Sequence, residues 1–467
     1  MKRTLLLLLL ASSVAYSQTP GRYNDLYQQL DTKLTDIDAW LRANWDGAPH
    51  AVAWGAELIT ANGNRGADLL KPNSLAGVAL LLDRFEAMGV RGVKVSVLYP
   101  LLKPGFPRSA EYLAFYAAVA REVRNRNMKL HVQCTTVFPD TSWSRIGVDY
   151  SGLTMPQFRA DLRQHVETVL TAMRPDWLSI TNEPMTQKMN TGLDFTVAAV
   201  TELVQSVLTG LDRGSTLIGA GTGSWDDPAY AQALAATSLD FLDLHVYPIN
   251  STLFIDRAAT FAGIARNAGK RLVISESWLF KVRDSEVGAS TLNAAKYYAR
   301  DVFDFWKPLD VRFIDAMVRF AQYAQAEFCS FFWIRNFYAY IPYDDAKDAL
   351  PPTQLFALCD AEAGRNILGN ALSETGVAYK DLIARYTTEV HPVPPRDART
   401  RGDVFPNPVN GTLTLSNMRG EVVIHDMLGR IHWSGVVDER TSIDVSTFPR
   451  GVYAVRAANT LRRVAKL

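Results

Sequence analysis

The feature that most constrains the fold is an alternation of short β-branched segments with longer amphipathic ones, between about residue 50 and residue 385. Such an alternation is typical of a parallel sheet covered by helices. Eight segments have the length and apolar character of strands: 51–60, 92–98, 129–137, 177–182, 216–222, 240–247, 271–276 and 328–334. Amphipathic stretches with helical spacing lie between them, such as 74–88, 109–127 and 156–173. Eight strands close a (β/α)8 barrel, so we predict an α/β fold of the TIM-barrel type.

Polar and aromatic residues cluster directly after the predicted strands, at positions 62–64, 99–100, 138–140, 225–227, 247–248 and 335–336. In barrels of this kind the carboxyl ends of the strands carry the active site. We therefore expect the functional residues at that end. Residues 21–47 form an amphipathic stretch, and we expect a helix there that closes the opposite end of the barrel.

The sequence changes character after about residue 387. Residues 387–403 are rich in proline and charge, which predicts a solvated linker. Residues 404–467 contain short alternating apolar runs separated by Gly, Asn, Asp and Pro, which is typical of a small all-β sandwich. The expected organisation is therefore a barrel over residues 18–386, a linker, and a β-sandwich domain.

The N-terminus has the pattern of a secretory signal peptide over residues 1–17. A basic start precedes an apolar run, and small residues precede the expected cleavage site. The apolar run is shorter than the about 20 residues that a membrane span requires. The three cysteines, Cys134, Cys329 and Cys359, are too few and odd in number for a disulfide framework.

The charge balance argues against two classes of partner. The chain has 49 Lys and Arg against 48 Asp and Glu, a formal net charge of +1. It has no overall field that attracts nucleic acid or an anionic membrane, so we expect an uncharged partner.

The 10 tryptophans suit the apolar faces of sugar rings. The sequence has no phosphate-binding, dinucleotide-binding or His-Glu-x-x-His motif, and we expect a monomer that needs no cofactor or metal.

Two glutamates at the ends of apolar segments are the candidate catalytic residues. Glu183 follows the fourth predicted strand, and Glu276 ends the seventh. An unpaired buried carboxylate is costly, so a pair at these positions is expected where chemistry requires it. Hydrolysis of a glycosidic bond with retention uses two carboxyl groups about 5 to 5.5 Å apart. One such glutamate is more readily explained as a helix cap, but two at matched strand ends favour a catalytic pair.

Three further residues are candidate binding or supporting groups. Asn182 precedes Glu183 and carries an amide suited to a sugar 2-hydroxyl. His245 and Tyr247 lie two residues apart on the sixth strand and therefore share a face. We expect Tyr247 to donate to the nucleophile and His245 to line the same wall.

The segments 181–184 (Thr-Asn-Glu-Pro) and 274–278 (Ile-Ser-Glu-Ser-Trp) resemble the acid/base and nucleophile motifs of the clan A glycoside hydrolases. These are retaining (β/α)8 enzymes that include cellulases, mannanases and endo-β-1,4-galactanases. The resemblance covers about residues 50–385. It implies Glu183 as acid/base and Glu276 as nucleophile, with Trp333 as a sugar platform and Trp278 as a further substrate-binding residue.

Lys94 departs from the family pattern. Many members carry an arginine on the second strand near the nucleophile, where this chain has Lys94. Lysine lacks the bidentate fork of arginine, so the support of Glu276 and the choice of substrate are expected to differ. Two functions follow: a secreted retaining glycoside hydrolase acting on β-linked polysaccharides or oligosaccharides, or a barrel without catalysis that binds glycans at a cell surface. Lys94 and the unusual third-strand ending at 135–138 keep the second hypothesis open.

Four segments of the tail resemble, in order, the sorting domains of the type IX secretion system: 405–408, 426–430, 443–446 and 449–453. The resemblance implies that the secretion machinery is a partner and that the protein is secreted or held at the cell surface. A sugar-binding module is the competing interpretation. However, Trp433 is the only indole of the tail, which is few for a binding platform.

Overall fold

The computed structural model describes residues 19–247, 249–250, 253–288, 294–389, 403–405, 409–426, 430–457 and 460–466. The chain forms two compact units, Met1–Val390 and His391–Leu467. The predicted signal peptide and most of the predicted linker lie outside the described residues, so the proposed domain boundaries stay a prediction. Within the described ranges, no helix has the length and apolar character that a membrane span requires.

The described part of the first unit contains a closed barrel of eight parallel strands, which confirms the predicted TIM barrel. Each strand pairs with the next along the chain, and the eighth pairs with the first. Each strand also overlaps a predicted segment. The strands are β1 Ala53–Glu57, β2 Gly92–Ser96, β3 Lys129–Gln133, β4 Trp177–Ser179, β5 Leu217–Gly223, β6 Phe241–Val246, β7 Arg271–Ser277 and β8 Phe328–Phe331.

Helices surround this barrel. The α-helices of the described residues are α1 Asn24–Asn44, α2 Ser74–Met88, α3 Ser109–Asn125, α4 Met155–Met173, α5 Pro184–Thr191, α6 Val197–Leu208, α7 Pro228–Ala235, α8 Ala259–Asn267, α9 Ala295–Tyr298, α10 Lys307–Tyr323, α11 Asp345–Asp348, α12 Pro352–Gly369 and α13 Glu374–Glu389. Short 3₁₀ segments occupy Gly21–Tyr23, Ile59–Ala61, Gly63–Leu70, Asp284–Glu286, Ala299–Val302, Asp304–Trp306 and Ile334–Phe337, and a π turn occupies Leu253–Ala258.

Local sequence determines where several of these helices begin and end. The hydroxyl of Thr154 accepts a hydrogen bond from the backbone N–H of Gln157 (3.4 Å) and caps α4. Thr196 caps α6 in the same way by accepting from Ala199 (3.2 Å). Gly89 ends α2 with a φ of 89°, a left-handed conformation that favours glycine. These caps satisfy backbone groups that the helix itself leaves unpaired.

Helix α1 differs from the prediction, because it joins the outer ring of helices instead of closing the end of the barrel. It packs beside α10. Arg312 and Arg319 of α10 both form ion pairs with Asp38 of α1. The apolar side of α1 is buried through Leu26, Leu30, Leu34, Ile37 and Leu41. The helical spacing of these residues predicts a buried face, but it does not specify which neighbour buries it.

Large side chains fill the amino-terminal end of the barrel: Trp177, Phe241, Val273 and Phe328. Phe241 fits because the neighbouring strand β5 carries glycines. A Cβ atom added at Gly219 would lie 2.2 Å from the Phe241 ring, and one added at Gly221 would lie 1.6 Å from the carbonyl oxygen of Asp243. The glycines of β5 are therefore required for close packing against β6.

The second unit is all-β, as predicted. Its described strands are β9 Asp403–Phe405, β10 Thr412–Asp426, β11 Ile431–Asp444, β12 Gly451–Ala457 and β13 Thr460–Lys466. They form one antiparallel sheet in the order β11-β10-β12-β13, with β9 also paired to β10.

Strand β10 shifts register against β11 between Ser416 and Met418. Buried residues before the shift are odd-numbered and those after it even-numbered, so both halves of the strand face one core. These buried residues are Leu413, Leu415, Val422 and Ile424.

We predict that Gly221→Ala destabilises the barrel by at least about 3 kcal/mol, because the new methyl group would overlap the β6 backbone. The matched control is Gly77→Ala in α2, where an added Cβ meets nothing within 4 Å. That change should stabilise the protein by about 0.5 to 1 kcal/mol, since alanine favours helix. Guanidinium unfolding followed by circular dichroism measures both. Similar effects at the two glycines would contradict the packing argument.

Candidate active site

Glu183 lies at the junction between the segment that follows β4 and helix α5. Its backbone has φ 49° and ψ 70°, a left-handed conformation that is uncommon outside glycine. Pro184 then begins α5 with the φ that a first helical turn needs. Strained backbone of this kind concentrates at functional sites, where the surrounding structure holds a side chain in a required direction.

Glu276 lies near the end of β7, where the pairing with β6 is irregular. Asp243 pairs with Val273, and His245 pairs with Glu276, so β7 has one extra residue between these pairs. In a regular strand consecutive side chains point to opposite faces. With the extra residue, Ser275 and Glu276 both contact groups inside the barrel, because Ser275 reaches Asp243 (2.8 Å) and Glu276 contacts His245. The irregularity therefore aims the carboxylate at the mouth of the barrel.

The two glutamates face each other across His245. One carboxylate oxygen of each glutamate and one ring nitrogen of His245 lie within 4.8 Å of one another. Nδ1 of His245 is 2.5 Å from Oε1 of Glu183 and 4.0 Å from Oε2 of Glu276. The separation of the two carboxylate oxygens, at most 4.8 Å, is close to the about 5 to 5.5 Å between the carboxyl groups of retaining glycosidases. It is far below the about 6.5 to 9.5 Å of inverting ones.

A buried ion network supports Glu276. Nζ of Lys94 donates to Oε2 of Glu276 and lies 3.2 Å from Oε2 of Glu57. Glu57 in turn accepts hydrogen bonds from Asn62 (3.1 Å) and Ser96 (3.0 Å). Lys94 and Glu57 are each 1% exposed. The ammonium group therefore bridges two carboxylates, and the second of them holds it in place.

Sequence reasoning missed Glu57. A signal was present, because Glu57 is a charged residue inside an otherwise apolar strand segment. Its pairing with Lys94 in the β1–β2 register completes that signal. A buried charge in a strand requires a partner, and adjacent strands in register supply one.

The network sets the charge of Glu276. Burial alone would raise its pKa, but Lys94 and His245 outweigh burial and hold the pKa below its usual value. The hydroxyl of Tyr247 also donates to Oε1 of Glu276. Burial and the Glu276 charge raise the pKa of Tyr247, so Tyr247 stays a neutral donor. Glu276 is therefore ionised at neutral pH.

His245 continues into a hydrogen-bonded chain through the barrel interior. Its Nε2 is 2.9 Å from Oγ of Ser275, which donates to Asp243 (2.8 Å). Ser179 also donates to Asp243 (2.6 Å), and His131 contacts Ser179 (2.9 Å). Burial lowers the pKa of His131 to about 4, so His131 is neutral. For His245, burial acts in the same direction, but Glu276 and Glu183 outweigh it and raise its pKa above the usual value.

Asp226 is close enough to Glu183 to interact with its charge, and it is 5% exposed. Its Oδ2 accepts a hydrogen bond from the backbone N–H of Gly223 (2.9 Å). Burial raises the pKa of Asp226 to about 7, and the charge of Glu183 contributes to the same shift. Asp226 therefore supports the loop after β5 and does not add a full negative charge beside Glu183.

An open cavity of about 520 Å³ lies above the two glutamates and includes Tyr247 in its lining. Its aromatic wall includes Trp143, Trp225, Tyr298, Phe332, Trp333 and Phe356. The ring of Trp333 stacks at 6.3 Å from that of Trp143 and at 5.9 Å from that of Phe356. Such a wall offers apolar faces to a ligand of sugar rings.

The other predicted residues have different surroundings. Asn182 is fully buried, and its amide nitrogen has no hydrogen-bond partner among the described residues. Lys94 lies beneath Glu276 and not at the cavity surface. Trp278 is 1% exposed, lies outside the cavity lining, and packs against Phe331 and Phe337. Of the predicted residues, Glu183, Tyr247, Glu276 and Trp333 line the cavity. Asn182, His245 and Lys94 are buried beside the two glutamates and do not line it, and Trp278 packs outside it.

Glu183, His245 and Glu276 also have the spacing of a three-ligand metal site. However, Lys94 and Tyr247 already donate to both oxygens of Glu276. An ammonium group in contact with one ligand repels a divalent cation. The donor set is therefore better suited to charge pairing than to metal binding.

Residues 403–466 match the family described as a secretion system C-terminal sorting domain. The predicted resemblance of the tail is confirmed, and the match indicates export to the cell surface or the medium with the type IX machinery as partner. In the described residues Arg430 pairs with Asp426 (2.7 Å), which joins the ends of β10 and β11. A comparison with curated protein sequences finds no match.

Solved structures similar to this chain include a mannosidase and a mannanase. GH5_18 from Bifidobacterium longum subsp. longum is 15% identical, with 72% of this chain and 80% of that chain covered and a TM-score of 0.44. An exo-β-1,4-mannosidase from Opitutaceae bacterium strain TAV5 is 13% identical, with 74% and 62% covered and a TM-score of 0.44. The endo-β-1,4-mannanase from Thermotoga petrophila is 11% identical, with 90% and 98% covered and a TM-score of 0.39. Likenesses this distant add nothing to what the geometry of the chain shows.

We predict that Lys94→Met lowers the free energy of unfolding by about 3 to 5 kcal/mol at pH 8, since Glu57 and Glu276 lose their shared cation. Burial already holds the pKa of Glu57 above its usual value against the effect of Lys94. Loss of Lys94 raises the folded-state pKa of Glu57 further and raises that of Glu276, which Lys94 had lowered. Protonation at lower pH stabilises the folded variant, so its deficit against the native protein should shrink between pH 8 and pH 5.

The matched control is Lys129→Met at the amino-terminal end of the barrel. Lys129 is 56% exposed and pairs with Asp176. Its removal should cost no more than about 1 kcal/mol, with little dependence on pH in this range. Denaturant unfolding at both pH values measures the two variants, and an equal loss for both lysines would contradict the proposed buried network.

Proposed function

We propose that this protein is a retaining glycoside hydrolase that cleaves β-glycosidic bonds in polysaccharides or oligosaccharides. The observation that carries the proposal is the pair of facing carboxylates, Glu183 and Glu276, with ligand atoms within 4.8 Å of each other and of His245. Their separation suits direct attack by one carboxylate and leaves no room for the water that an inverting mechanism places between them.

Electrostatic asymmetry supports the assignment of roles. Glu276 is held ionised by Lys94 and accepts from Tyr247, which suits a nucleophile. Glu183 contacts His245, whose pKa is raised above its usual value. His245 can therefore hold a proton in direct contact with the Glu183 carboxyl group. Glu183 is therefore the proposed acid/base.

In the first step Glu183 protonates the glycosidic oxygen while an oxygen of Glu276 attacks the anomeric carbon. The bond to the leaving group breaks, and a covalent glycosyl-enzyme ester forms. In the second step Glu183 removes a proton from water, and that water attacks the same carbon. The ester bond breaks and Glu276 is released as a carboxylate, so configuration is retained over two inversions.

Two further residues suit this chemistry. The amide nitrogen of Asn182 has no hydrogen-bond partner but is fully buried, so its proposed contact with the sugar 2-hydroxyl requires the side chain to become accessible when substrate binds. Trp333 offers an indole face in the cavity wall next to the catalytic pair. The open, aromatic cavity favours a polymeric substrate over a small glycoside.

We predict that Glu276→Ala and Glu183→Ala each reduce turnover of a susceptible glycan by at least about a thousandfold, because each removes a group that bonds to the reacting atoms. Azide should partly restore activity in both variants by occupying the space of the missing carboxylate. The control is Glu202→Ala on α6, an exposed glutamate outside the cavity lining, which should retain native turnover.

A fluoroglycoside that traps the covalent intermediate separates the proposal from a glycan-binding barrel without catalysis. It should label Glu276 in the native protein, as shown by peptide mass spectrometry, and should not label Glu276→Ala. Native turnover in both glutamate variants, or an unlabelled native protein that still binds glycans, would contradict the hydrolase.

The sorting domain gives a separate prediction about location. Deletion of residues 404–467 should leave hydrolase activity intact, because every proposed catalytic residue lies in the first unit. The truncated protein should accumulate in the periplasm, as measured by fractionation and activity assay. Normal export without the tail would contradict a sorting role, and loss of activity would contradict the independence of the barrel.

We further propose that the exported protein is a monomer.

A further inference from the structure

The cavity carries more positive charge than the proposed catalytic pair requires. Arg65, Arg145 and Arg335 all line it. The carboxylates beside them are Asp360 in the lining and Asp68, which is 3.5 Å from Arg145. Three guanidinium groups thus share two carboxylates. Lys94 does not line the cavity, so these three arginines are distinct from the buried ion network.

The guanidinium group of Arg65 has N–H donors available for a ligand. Among the described residues it forms no ion pair, and its guanidinium has no hydrogen-bond partner. Burial lowers the pKa of Arg65. The positive charge of Arg145 also lowers it, while Asp68 and Asp360 raise it by a smaller amount in total. A partly buried guanidinium beside a second one is stabilised by an incoming anion.

Arg335 is held in a fixed orientation at the same wall. Its guanidinium carbon lies 4.3 Å from the centroid of the Trp333 ring and 4.7 Å from that of Phe356. It is 13% exposed, and its ion-pair partner Asp360 (3.2 Å) is 56% exposed, so that pairing is weakened by solvent. Stacking on aromatic faces orients the guanidinium without using its N–H donors.

The three arginines come from three different connections, which converge at the carboxyl ends of the strands. Arg65 lies in the 3₁₀ segment Gly63–Leu70 after β1, Arg145 follows β3, and Arg335 lies in Ile334–Phe337 after β8. Such convergence gives a concave cationic wall rather than a stripe of solvated charge on one helix.

We propose that the cavity recognises glycans with acidic substituents, and that Arg65 and Arg335 bind the acidic group. This inference rests on the proposed hydrolase function and names the substrate class of that site. The shared chemistry is an oxyanion that accepts two N–H donors from one guanidinium, which both a uronate carboxylate and a sulfate ester provide.

Binding to the full-length Glu276→Gln variant tests the inference without requiring turnover. The probes are oligosaccharides of xylan, glucan and galactan, each in a neutral, a uronate-bearing and a sulfated form, measured by isothermal titration calorimetry. At least one acidic form should bind about tenfold or more tightly than its neutral counterpart, since a charge-assisted pair is worth this much. The acidic form that binds more tightly shows whether the cavity recognises a uronate carboxylate or a sulfate ester.

Arg65→Met and Arg335→Met in the same background should each remove most of the preference and change the affinity for the neutral form less than threefold. The control is Arg121→Met, an exposed arginine on α3, which should keep the preference. Equal affinity for acidic and neutral forms of every backbone, or a preference that survives both replacements, would overturn the inference. Hydrolysis of a neutral form by the native protein would then leave the proposed function standing, so the two failures are distinguishable.

Discussion

The buried ammonium group of Lys94 is the interaction on which the site depends. A side chain that is 1% exposed keeps its charge only because Glu57 and Glu276 lie on either side of it. Glu57 is placed by the β1–β2 register, and Glu276 comes from β7. Glu276 is therefore a carboxylate as a consequence of folding, before any substrate binds. The lysine at this position keeps the charge that an arginine would supply, and Glu57 replaces the geometric restraint of the guanidinium fork.

Two local departures from regular structure place the carboxylates. The extra residue in β7 turns Glu276 toward the barrel mouth, and the left-handed backbone at Glu183 directs its side chain to His245. Each departure costs free energy locally. The closed barrel compensates, because its strands are paired on both sides and its interior is filled at the opposite end by large side chains. Rigidity below the site thus permits strain within it.

The fold and the proximity of Glu183 and Glu276 could be predicted from the sequence because strand character and strand-end position are local properties. The buried ion network of Lys94 could not be predicted, because Glu57 meets Lys94 only through the register of β1 with β2. That register depends on the whole barrel. The position of Trp278 could not be predicted for the same reason. Strand β7 ends at Ser277, and the indole of Trp278 packs on Phe331 outside the cavity. The bulge that positions Glu276 has no signature in residue type.

Overall charge and local charge lead to different expectations about the ligand. A net charge of +1 gives no long-range field, so an acidic glycan is not attracted from a distance. Within the cavity, however, a ligand responds to groups closer than the Debye length of about 8 to 10 Å. Arg65 and Arg335 lie far apart in the sequence and line the same cavity only in the folded chain. Selectivity for an acidic sugar would therefore arise from contacts formed after entry, and salt would weaken it less than it weakens binding to an exposed basic surface.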